Sequence, residues 1–416
     1  MPSVMANPAA AAPRALEGLR VIELAHPRGQ YCGKMYAELG AEVILVEPPR
    51  GAATRHCSPR STGEGQPSLS FSYFNTSKRG ITLDLQQSAG QALFRQLVAS
   101  ADLLIESERP GELAAIGCGY AALALLRPSL VVTSITAFGQ TGPYAQYEGE
   151  DLVGLATGGF LYLGGYPDSA PIGAFGDQAI SGSSMFGAVA SMLALTQAET
   201  SGQGEHVDVS MQECMVLAME NAVQFYDLEG TIRKRYAGRQ RFAGTGVYEC
   251  LDGHVYMMAG GIGANRFWGL TLQWLIDEKA PGVERLGGDE WLQTAYLESE
   301  QAKDIFMEVF GSWARTRTKA YLYREGQRRH VPAAAINTTE DLVASAQLQA
   351  RGFFVDSLQP GLPRPAVMPG APYQLSLTPW AMSSAAPTLG QHNDQVYAGL
   401  GLSKAELQLL SRQAVI

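Results

Sequence analysis

One aspartate stands at the start of a segment of small residues, where a carboxylate could do chemistry. Gly176 and Asp177 end a Gly-rich loop, and apolar residues then recur at spacings of three or four from 185 to 195, which predicts a helix. Two interpretations of Asp177 fit this position. It is either an N-cap, whose carboxylate accepts N–H groups of its own helix, or a nucleophile that the helix N-terminus keeps ionised.

A second acidic pair lies at another predicted helix start. Glu150 and Asp151 follow a long Gly/Pro loop and precede a helical stretch. Acidic residues there interact favourably with the helix dipole whether or not they react. The local pattern alone therefore does not separate a structural carboxylate from a reactive one.

Cationic residues stand at turns beside predicted strands. Arg28 follows the first strand, Lys78 and Arg79 precede the third, and Arg109 follows the fourth. Lys78 and Arg79 are either solvated or bind the phosphates of a ligand. The turn around Arg28 lacks the GxGxxG spacing of dinucleotide sites, so no NAD is expected.

Alternating apolar runs and helical segments must position these residues. The alternation predicts an α/β fold with a parallel sheet covered on both faces. Strands are predicted at 19–24, 41–47, 80–85, 102–106, 130–135 and within 202–211, and helices at 89–100, 212–230 and from 177 onward. The first strand–helix–strand unit resembles a Rossmann-type unit.

The character of the sequence changes near residue 228. From there the chain is basic and Gly-broken, with alternating strand patterns around a hairpin turn at Leu251-Asp252-Gly253. We predict a flexible tail at 1–15, a large domain at 16–227, a small α+β domain at 228–328 and a C-terminal segment at 329–416 that returns to the large domain.

Composition limits the partners of this 416-residue chain. A net charge of −9 argues against nucleic acid as a partner. No run approaches the roughly 18–20 apolar residues of a membrane span. The five cysteines are scattered, which fits a reducing cytoplasm, and neither they nor the six histidines show metal-ligand spacing. We expect a cytoplasmic protein without a metal site.

Motifs along nearly the whole chain follow the order of a known family, the class III CoA-transferases. This family includes formyl-CoA:oxalate and carnitine CoA-transferases and α-methylacyl-CoA racemase, and the chain resembles it. The matching segments are LEGLRVIELAHPRG, YFNTSKRGITLDL, ADLLIESERPGEL, ITAFGQTGPYAQYEGED, GDQAISGSSMFGAVASMLAL, GQGEHVDVSM, VPAAAINTTEDL and APTLGQHNDQVYAGLGLS.

The resemblance implies a Rossmann-like large domain, a small inserted domain and an interlocked, ring-like homodimer. It implies coenzyme A, as an acyl-CoA, and a free carboxylic acid as substrates. The family's catalytic aspartate opens a small-residue helix after a glycine, and Asp177 fills that position. It would form an aspartyl acyl anhydride and then an aspartyl-CoA thioester.

Other family positions fall on named residues of this chain. Asp151 would be a supporting carboxylate, with Glu150 beside it. The CoA contacts would be Arg28, Pro48, Lys78, Arg79 and Arg109, and Gly244 and Gly246 are either a short gating loop or a hairpin lead-in. The chain departs from the family at Gly29-Gln30, where relatives have Gly-Pro, and at Ala115, where some relatives carry a cation.

The resemblance leaves a second activity open. Racemase members move the α-proton of an acyl-CoA with a His–Asp pair, and their His falls on Glu150. A glutamate with a raised pKa could replace it, so Glu150 or Asp151 with Asp177 would make a racemase or isomerase. The acids themselves are open: Arg233, Lys234, Arg235, Arg239 and Arg241 would suit a dicarboxylate or be solvated, and Tyr31, Phe138, Tyr144 and Tyr147 could line an acyl pocket.

Overall fold

The protein is described by a computed structural model for residues 13–60, 67–236, 238–260 and 265–416. Packing divides the chain into two compact units. The first unit comprises the chain up to Leu161, Gly173–Gly230 and Ala350–Ile416, and the second comprises Tyr162–Ile172 and Thr231–Gln349. The domain boundaries at 16, 228 and 329 stay predictions, and the predicted tail lies mostly outside the described residues.

A parallel sheet forms the centre of the first unit. Its strands among the described residues are β1 (Arg20–Leu24), β2 (Glu42–Glu47), β3 (Arg79–Thr82), β4 (Leu103–Glu106), β5 (Val131–Thr136) and β6 (His206–Ser210). Hydrogen bonds order them β3-β2-β1-β4-β5-β6. The direction of winding reverses between β1 and β4, and ligands of such sheets bind in the crevice outside the carboxyl ends of the strands at this point.

Helices cover both faces of this sheet, so the α/β prediction is confirmed. They are α1 (Pro27–Glu38), α2 (Leu69–Phe74), α3 (Ser88–Ala99), α4 (Glu112–Ala115), α5 (Tyr120–Leu126), α6 (Asp151–Thr157), α7 (Phe160–Leu163), α8 (Gln178–Ser201), α9 (Met211–Ala218) and α10 (Ala222–Glu229), with a 3₁₀ turn at Ala53–His56. Neighbouring strand residues face opposite sides. Ile22 packs with Phe94 of α3, whereas Val21 packs in the core that holds Tyr36 of α1.

Small residues allow α8 to lie close to the sheet and to α1. A Cβ at Gly187 would come within 2.6 Å of Ile135, and the Tyr36 hydroxyl donates to the Ala188 carbonyl at 2.9 Å. By length and composition, α8 is the one helix in the described ranges that could cross a membrane. The sequence interpretation missed this because Ala, Gly and Ser interrupt its apolar runs, while the helix contributes Ala179 and Ala194 to the core.

The predicted helix at 212–230 is wrong as one element, since the chain forms α9 and α10 with a break between them. Glu220 in the break has φ 51°, a left-handed conformation that a continuous α-helix excludes. Gly230, with φ 66°, ends α10.

The second unit combines an antiparallel sheet with short helices. Its described elements are β7 (Thr245–Cys250), β8 (Gly253–Met258), α11 (Asn265–Asp277), α12 (Thr294–Leu297), α13 (Glu300–Phe306), α14 (Ser312–Ala314), α15 (Lys319–Arg328), β9 (Ala333–Ile336), α16 (Thr339–Val343) and α17 (Ala346–Ala350), with 3₁₀ turns at Val283–Leu286 and Asp289–Leu292 and a π turn at Met307–Gly311. The pairing of Cys250 with Gly253 places the hairpin turn at the predicted Leu251-Asp252. Its core includes Trp274.

The C-terminal segment covers the β3 edge of the parallel sheet. Its elements are β10 (Phe354–Ser357), β11 (Ala366–Pro369), α18 (Asn393–Gly399) and α19 (Lys404–Arg412). The Gly80 N–H donates to His392 Nδ1 at 3.0 Å, and the Tyr397 hydroxyl donates to the Thr82 carbonyl at 2.7 Å. These bonds satisfy edge groups that would otherwise be open to pairing with another chain.

Candidate active site

The start of α8 presents an exposed carboxylate that its own helix does not use. Gly176 turns the chain with φ 79°, and Asp177 then occupies the N-cap position with no side-chain bond to the helix. The capping oxygen comes from Asp151 at the start of α6, whose Oδ1 accepts from the N–H groups of Ala179 at 2.7 Å and Ile180 at 3.1 Å. Asp177 is therefore left free at the positive end of a helix.

Asp151 is held between two opposing influences. Burial raises the pKa of its carboxyl group, and the N–H groups of Ile180 and Ala179 lower it. The charge of Asp177 raises the pKa of Asp151 further, which shows that the two carboxyls interact electrostatically. This arrangement gives Asp151 a positioning role, because it joins α6 to the helix start that carries Asp177.

Removing this cap is expected to loosen the helix start. Asp151→Ala leaves two α8 N–H groups without their acceptor, so we expect the free energy of unfolding to fall by about 1–2 kcal/mol. We also expect the rate of the reaction that the family resemblance implies to fall by about 10²-fold, since Asp177 loses its fixed position. Urea unfolding and initial rates measure both. Asp151→Asn keeps an acceptor oxygen and should retain most of the stability, whereas unchanged stability in Asp151→Ala would contradict the capping role.

Asp177 opens into a cleft of about 290 Å³ within the first unit. The described residues that line it are Pro27, Gln30, Thr54, Cys57, Ser58, Ser70, Phe71, Phe74, Glu150, Asp177 and Ile180. Two exposed carboxylates, those of Glu150 and Asp177, thus share this cleft with the rings of Phe71 and Phe74. The cleft therefore combines exposed carboxylates with apolar surface.

Two further clefts continue along the carboxyl edge of the sheet. The one of about 220 Å³ is lined by Arg28, Arg109 and Glu150, and Glu150 also lines the Asp177 cleft. The other, of about 520 Å³, includes Pro48 and shares Glu108 and Glu112 with the first. The three clefts therefore form a series at the edge where α/β sheets bind ligands, which suits a long substrate.

Arg28 places a cation at the crossover of the sheet. Its guanidinium donates to the carbonyls of Ile135 at 3.2 Å, Gly149 at 2.9 Å and Ser107 at 3.3 Å. Burial lowers the pKa of Arg28, and the charge of Glu150 opposes that shift. These bonds tie together the ends of β4 and β5 and the loop before α6, so Arg28 both shapes the cleft and supplies its positive charge.

Arg109 stands at the open side of the same cleft. It forms an ion pair with Glu148, and the two side chains are 55% and 75% exposed. An exposed pair of this kind contributes little to stability. The guanidinium can therefore exchange Glu148 for a phosphate group at small cost.

The structure gives Lys78 a use other than the predicted CoA contact. Its side chain is 0% exposed and ion-paired to Glu23 at 2.7 Å. The ammonium also donates to the Gln30 carbonyl at 2.8 Å and to Asn75 Oδ1 at 3.0 Å. Burial raises the pKa of Glu23 to about 7 while Lys78 opposes the rise. With its donors occupied inside the core, Lys78 offers none to a phosphate.

Arg79 lies at the opposite edge of the sheet from the clefts. It is the first residue of β3 and pairs with Glu42, the first residue of β2. Parallel strands place their first residues at the amino edge, whereas the clefts are at the carboxyl edge. This placement does not support the predicted CoA contact of Arg79.

The predicted gating glycines are explained by the local structure of the second unit. Gly244 has φ 82°, and a Cβ there would come within 2.9 Å of Ala259. A Cβ on Gly246 would come within 2.9 Å of the Gly238 carbonyl. Both are buried beside or within β7, as a hairpin lead-in requires, and the gating role stays a prediction.

Sequence reasoning missed three polar residues of these clefts, of which Gln30 and Thr54 are buried and His26 is partly buried. His26 caps α1 by accepting from Arg28 N at 3.3 Å, and burial lowers the pKa of its ring to about 3, so it stays neutral. Gln30 and Thr54 line the Asp177 cleft. The one available signal was Gln30 itself, which replaces the family's proline after Gly29.

Glu106, at the end of β4, should give stability a distinct pH dependence. Burial raises its pKa from 4.5 to about 7, so the folded state keeps a proton that the unfolded chain releases in this window. Glu106 contributes fully to the free energy of unfolding below pH 4.5, and this contribution is lost as the pH rises through about 7. The change amounts to about 3 kcal/mol. Between pH 4.5 and 8, the free energy of unfolding of Glu106→Gln, measured with urea, should rise by about 3 kcal/mol relative to that of wild type. Parallel pH profiles of the two proteins would contradict the raised pKa of Glu106.

Metal-ligating groups do not cluster in the parts of the chain that the structure describes. No set of three or more His, Cys, Asp or Glu residues there could hold an ion.

Known proteins match this chain over nearly its whole length. The chain matches CoA-transferase family III over residues 16–393. It is 38% identical over 404 residues to succinyl-CoA:(R)-benzylsuccinate CoA-transferase subunit BbsE of Thauera aromatica, which covers 95% of this chain and 97% of that protein. It is 33% identical over 411 residues to succinyl-CoA–D-citramalate CoA-transferase of Chloroflexus aurantiacus, with 97% and 98% coverage.

The fold is shared with a solved structure. The crystal structure of a CaiB/BaiF family protein from Brucella suis superposes with a TM-score of 0.81 at 29% identity, over 93% of this chain and 99% of that one. The chain belongs to CoA-transferase family III. It is thus a CoA-transferase, and CoA thioesters are the substrates of this class.

Proposed function

We propose that the chain moves CoA from succinyl-CoA to a second carboxylic acid through covalent intermediates on Asp177. The observation that supports this is the carboxylate of Asp177, which makes no capping bond to its own helix α8. Asp151 accepts from the N–H groups at the start of that helix instead. An ionised carboxylate needs no general base to act as a nucleophile.

The proposed reaction consists of four acyl transfers that balance without another reactant. Asp177 attacks the thioester carbonyl, forming a mixed anhydride and releasing CoA thiolate. The thiolate then attacks the Asp177 carbonyl, which gives an aspartyl-CoA thioester and frees succinate. The acceptor carboxylate displaces CoA to form a second anhydride, and the thiolate opens it at the acceptor carbonyl, releasing the new acyl-CoA and Asp177.

The series of clefts suggests how CoA lies along the sheet. We place the nucleotide in the cleft of Pro48, the phosphates near Arg109 and Arg28, and the thioester at Asp177. Glu150, which lines the two inner clefts, would contact the pantetheine arm or the reacting acid. Lys78 and Arg79 take no part in this arrangement.

The relatives' names suggest the acids. Succinyl-CoA is in the names of both relatives compared above, and their second acids are dicarboxylates. We therefore propose succinyl-CoA as donor and a dicarboxylic acid as acceptor. Of the two alternatives for the basic cluster, the dicarboxylate contact gains no support at Arg235, which donates to the carbonyls of Tyr162, Tyr166 and Ser169.

We propose a homodimer as the active form. Along α8, Met185, Phe186, Val189 and Leu193 are 50%, 42%, 61% and 68% exposed. Contiguous apolar surface of this kind marks an interaction site, and a second copy is the partner that the family resemblance implies. Light scattering during size-exclusion chromatography should give twice the chain mass, and an active monomer would contradict the proposal.

An exchange assay tests the activity without knowledge of the acceptor. Purified chain, succinyl-CoA and isotope-labelled succinate are mixed, and labelled succinyl-CoA is followed by mass spectrometry. We expect exchange, because succinate is then both leaving and incoming acid. A screen of benzylsuccinate, citramalate, glutarate and monocarboxylates follows. Because the Thauera relative is named as a subunit, a mass-verified but inactive chain would point to a second required polypeptide.

A second candidate is α-proton transfer. Glu150 and Asp177 line one cleft, which is the arrangement that a two-base racemase or isomerase needs. Deuterium entering the α-carbon of a branched acyl-CoA in D₂O, without any acceptor acid, would support this activity. Succinate exchange without deuterium uptake would favour transfer alone.

A further inference from the structure

Two buried polar side chains of the Asp177 cleft have no hydrogen-bond partner among the described residues. Gln30, on α1, is 2% exposed, and its Nε2 is unpaired. Thr54, in the 3₁₀ turn after β2, is 5% exposed, and its Oγ1 is unpaired. Both line the cleft that contains Asp177. A buried unpaired donor destabilises a fold, so two in one cleft call for an explanation.

We propose that Gln30 and Thr54 donate hydrogen bonds to the oxygen of the acyl carbonyl group whose carbon Asp177 attacks. This inference rests on the proposed function of Asp177. When the carboxylate adds to the thioester carbon, the carbonyl π electrons move onto oxygen, which becomes an oxyanion. Donors fixed in advance around that oxygen stabilise it more than they stabilise the ground state. The amide N–H₂ and the hydroxyl supply such donors without net charge.

The lining of the cleft favours a carbonyl oxygen over a second carboxylate as their ligand. None of its described lining residues is Lys, Arg or His, and it already holds Glu150 and Asp177. A full negative charge bound there would lack a cation and would be repelled by both carboxylates. A carbonyl is neutral at rest and gains charge only in the transition state, where neutral donors suffice.

Local structure explains why these donors are fixed. Gln30 is in the first turns of α1, where its N–H donates to the His26 carbonyl at 3.2 Å and its own carbonyl accepts from Lys78. Thr54 lies in the turn whose next residue, Arg55, is ion-paired to the buried Glu47 at 2.6 Å. Both side chains therefore stand on backbone held by buried ion pairs, so little reorganisation is required during reaction.

The test compares rate, binding and stability in matched variants. Gln30→Met has similar volume but no donor, and Thr54→Val removes only the hydroxyl. We expect each to slow succinyl-CoA/succinate exchange by about 10²–10³-fold. The Kd of CoA and the KM of succinate should stay within about twofold, because the lost bond acts mainly in the transition state. Thr54→Ser, which keeps the hydroxyl, should retain most of the rate.

Stability separates this role from a structural one. Since neither atom has a partner in the described residues, Gln30→Met and Thr54→Val should keep or raise the Tm. Wild-type rates in both variants would overturn the inference while leaving Asp177 chemistry intact. A raised succinate KM at unchanged kcat would also overturn it, in favour of a substrate-carboxylate contact. An active Asp177→Ala would instead reject the proposed function.

Discussion

Asp177→Ala is expected to abolish CoA transfer, with a fall in exchange rate of about 10⁴-fold or more, because the covalent route loses its nucleophile. The fold should not suffer, since the side chain is exposed and makes no capping bond to α8. We expect the free energy of unfolding to change by no more than about 0.5 kcal/mol. Exchange kinetics and urea unfolding of the same preparation measure both effects.

Two variants of the same cleft serve as controls. Asp177→Asn keeps the size of the side chain but cannot form the anhydride, so it should be as inactive as alanine. Glu150→Gln removes the neighbouring carboxylate and should still acquire a covalent intermediate at Asp177. Loss of that intermediate in Glu150→Gln, together with loss of α-deuterium exchange, would instead favour the two-base racemase.

Lys78→Met is expected to have the largest effect on stability. It leaves Glu23 buried without its cation, and breaking a buried pair on one side costs about 3–5 kcal/mol. Gly33 lies against this pair: a Cβ there would come within 1.6 Å of Glu23 Oε2. The site therefore has no room to relax. Urea unfolding gives the loss in free energy.

A matched double variant and a control at an exposed ion pair show whether the loss of stability comes from the unpaired buried charge. Glu23→Gln combined with Lys78→Met removes both charges and should recover most of the stability. Arg79→Gln, which breaks the partly exposed pair with Glu42, should cost no more than about 1 kcal/mol. If folded Lys78→Met showed normal stability but much weaker CoA binding, the predicted phosphate contact would be correct after all.

Local patterns were sufficient to predict the parallel sheet. The strands β1, β2, β4 and β5 are buried on both faces and rich in Val, Ile and Leu, although β5 also buries Thr133, Ser134 and Thr136. The helix break at Glu220 could not be predicted in this way, because Met219, Glu220 and Ala222 are good helix formers and Asn221 alone among them is not. A glutamate in the sequence gives no strong sign that its backbone will be left-handed.

The candidate site was predicted in part. Motif order singled out Asp177, but the capping of α8 by Asp151 joins residues 28 apart in sequence and has no local signature. The burial of Lys78 had no local signature for the same reason, and the CoA contacts of Lys78 and Arg79 stay predictions. Whether a lysine is solvated or buried depends on the distant Glu23, and only the folded sheet brings them together.

The most direct test of the proposed chemistry follows oxygen atoms. The enzyme is incubated with succinyl-CoA and succinate carrying oxygen-18 in its carboxylates, then digested, and the peptide containing Asp177 is weighed. A covalent route returns Asp177 with an oxygen taken from the acceptor acid, so this peptide should gain oxygen-18 during turnover. Continued exchange with an unlabelled Asp177 would contradict an aspartyl intermediate.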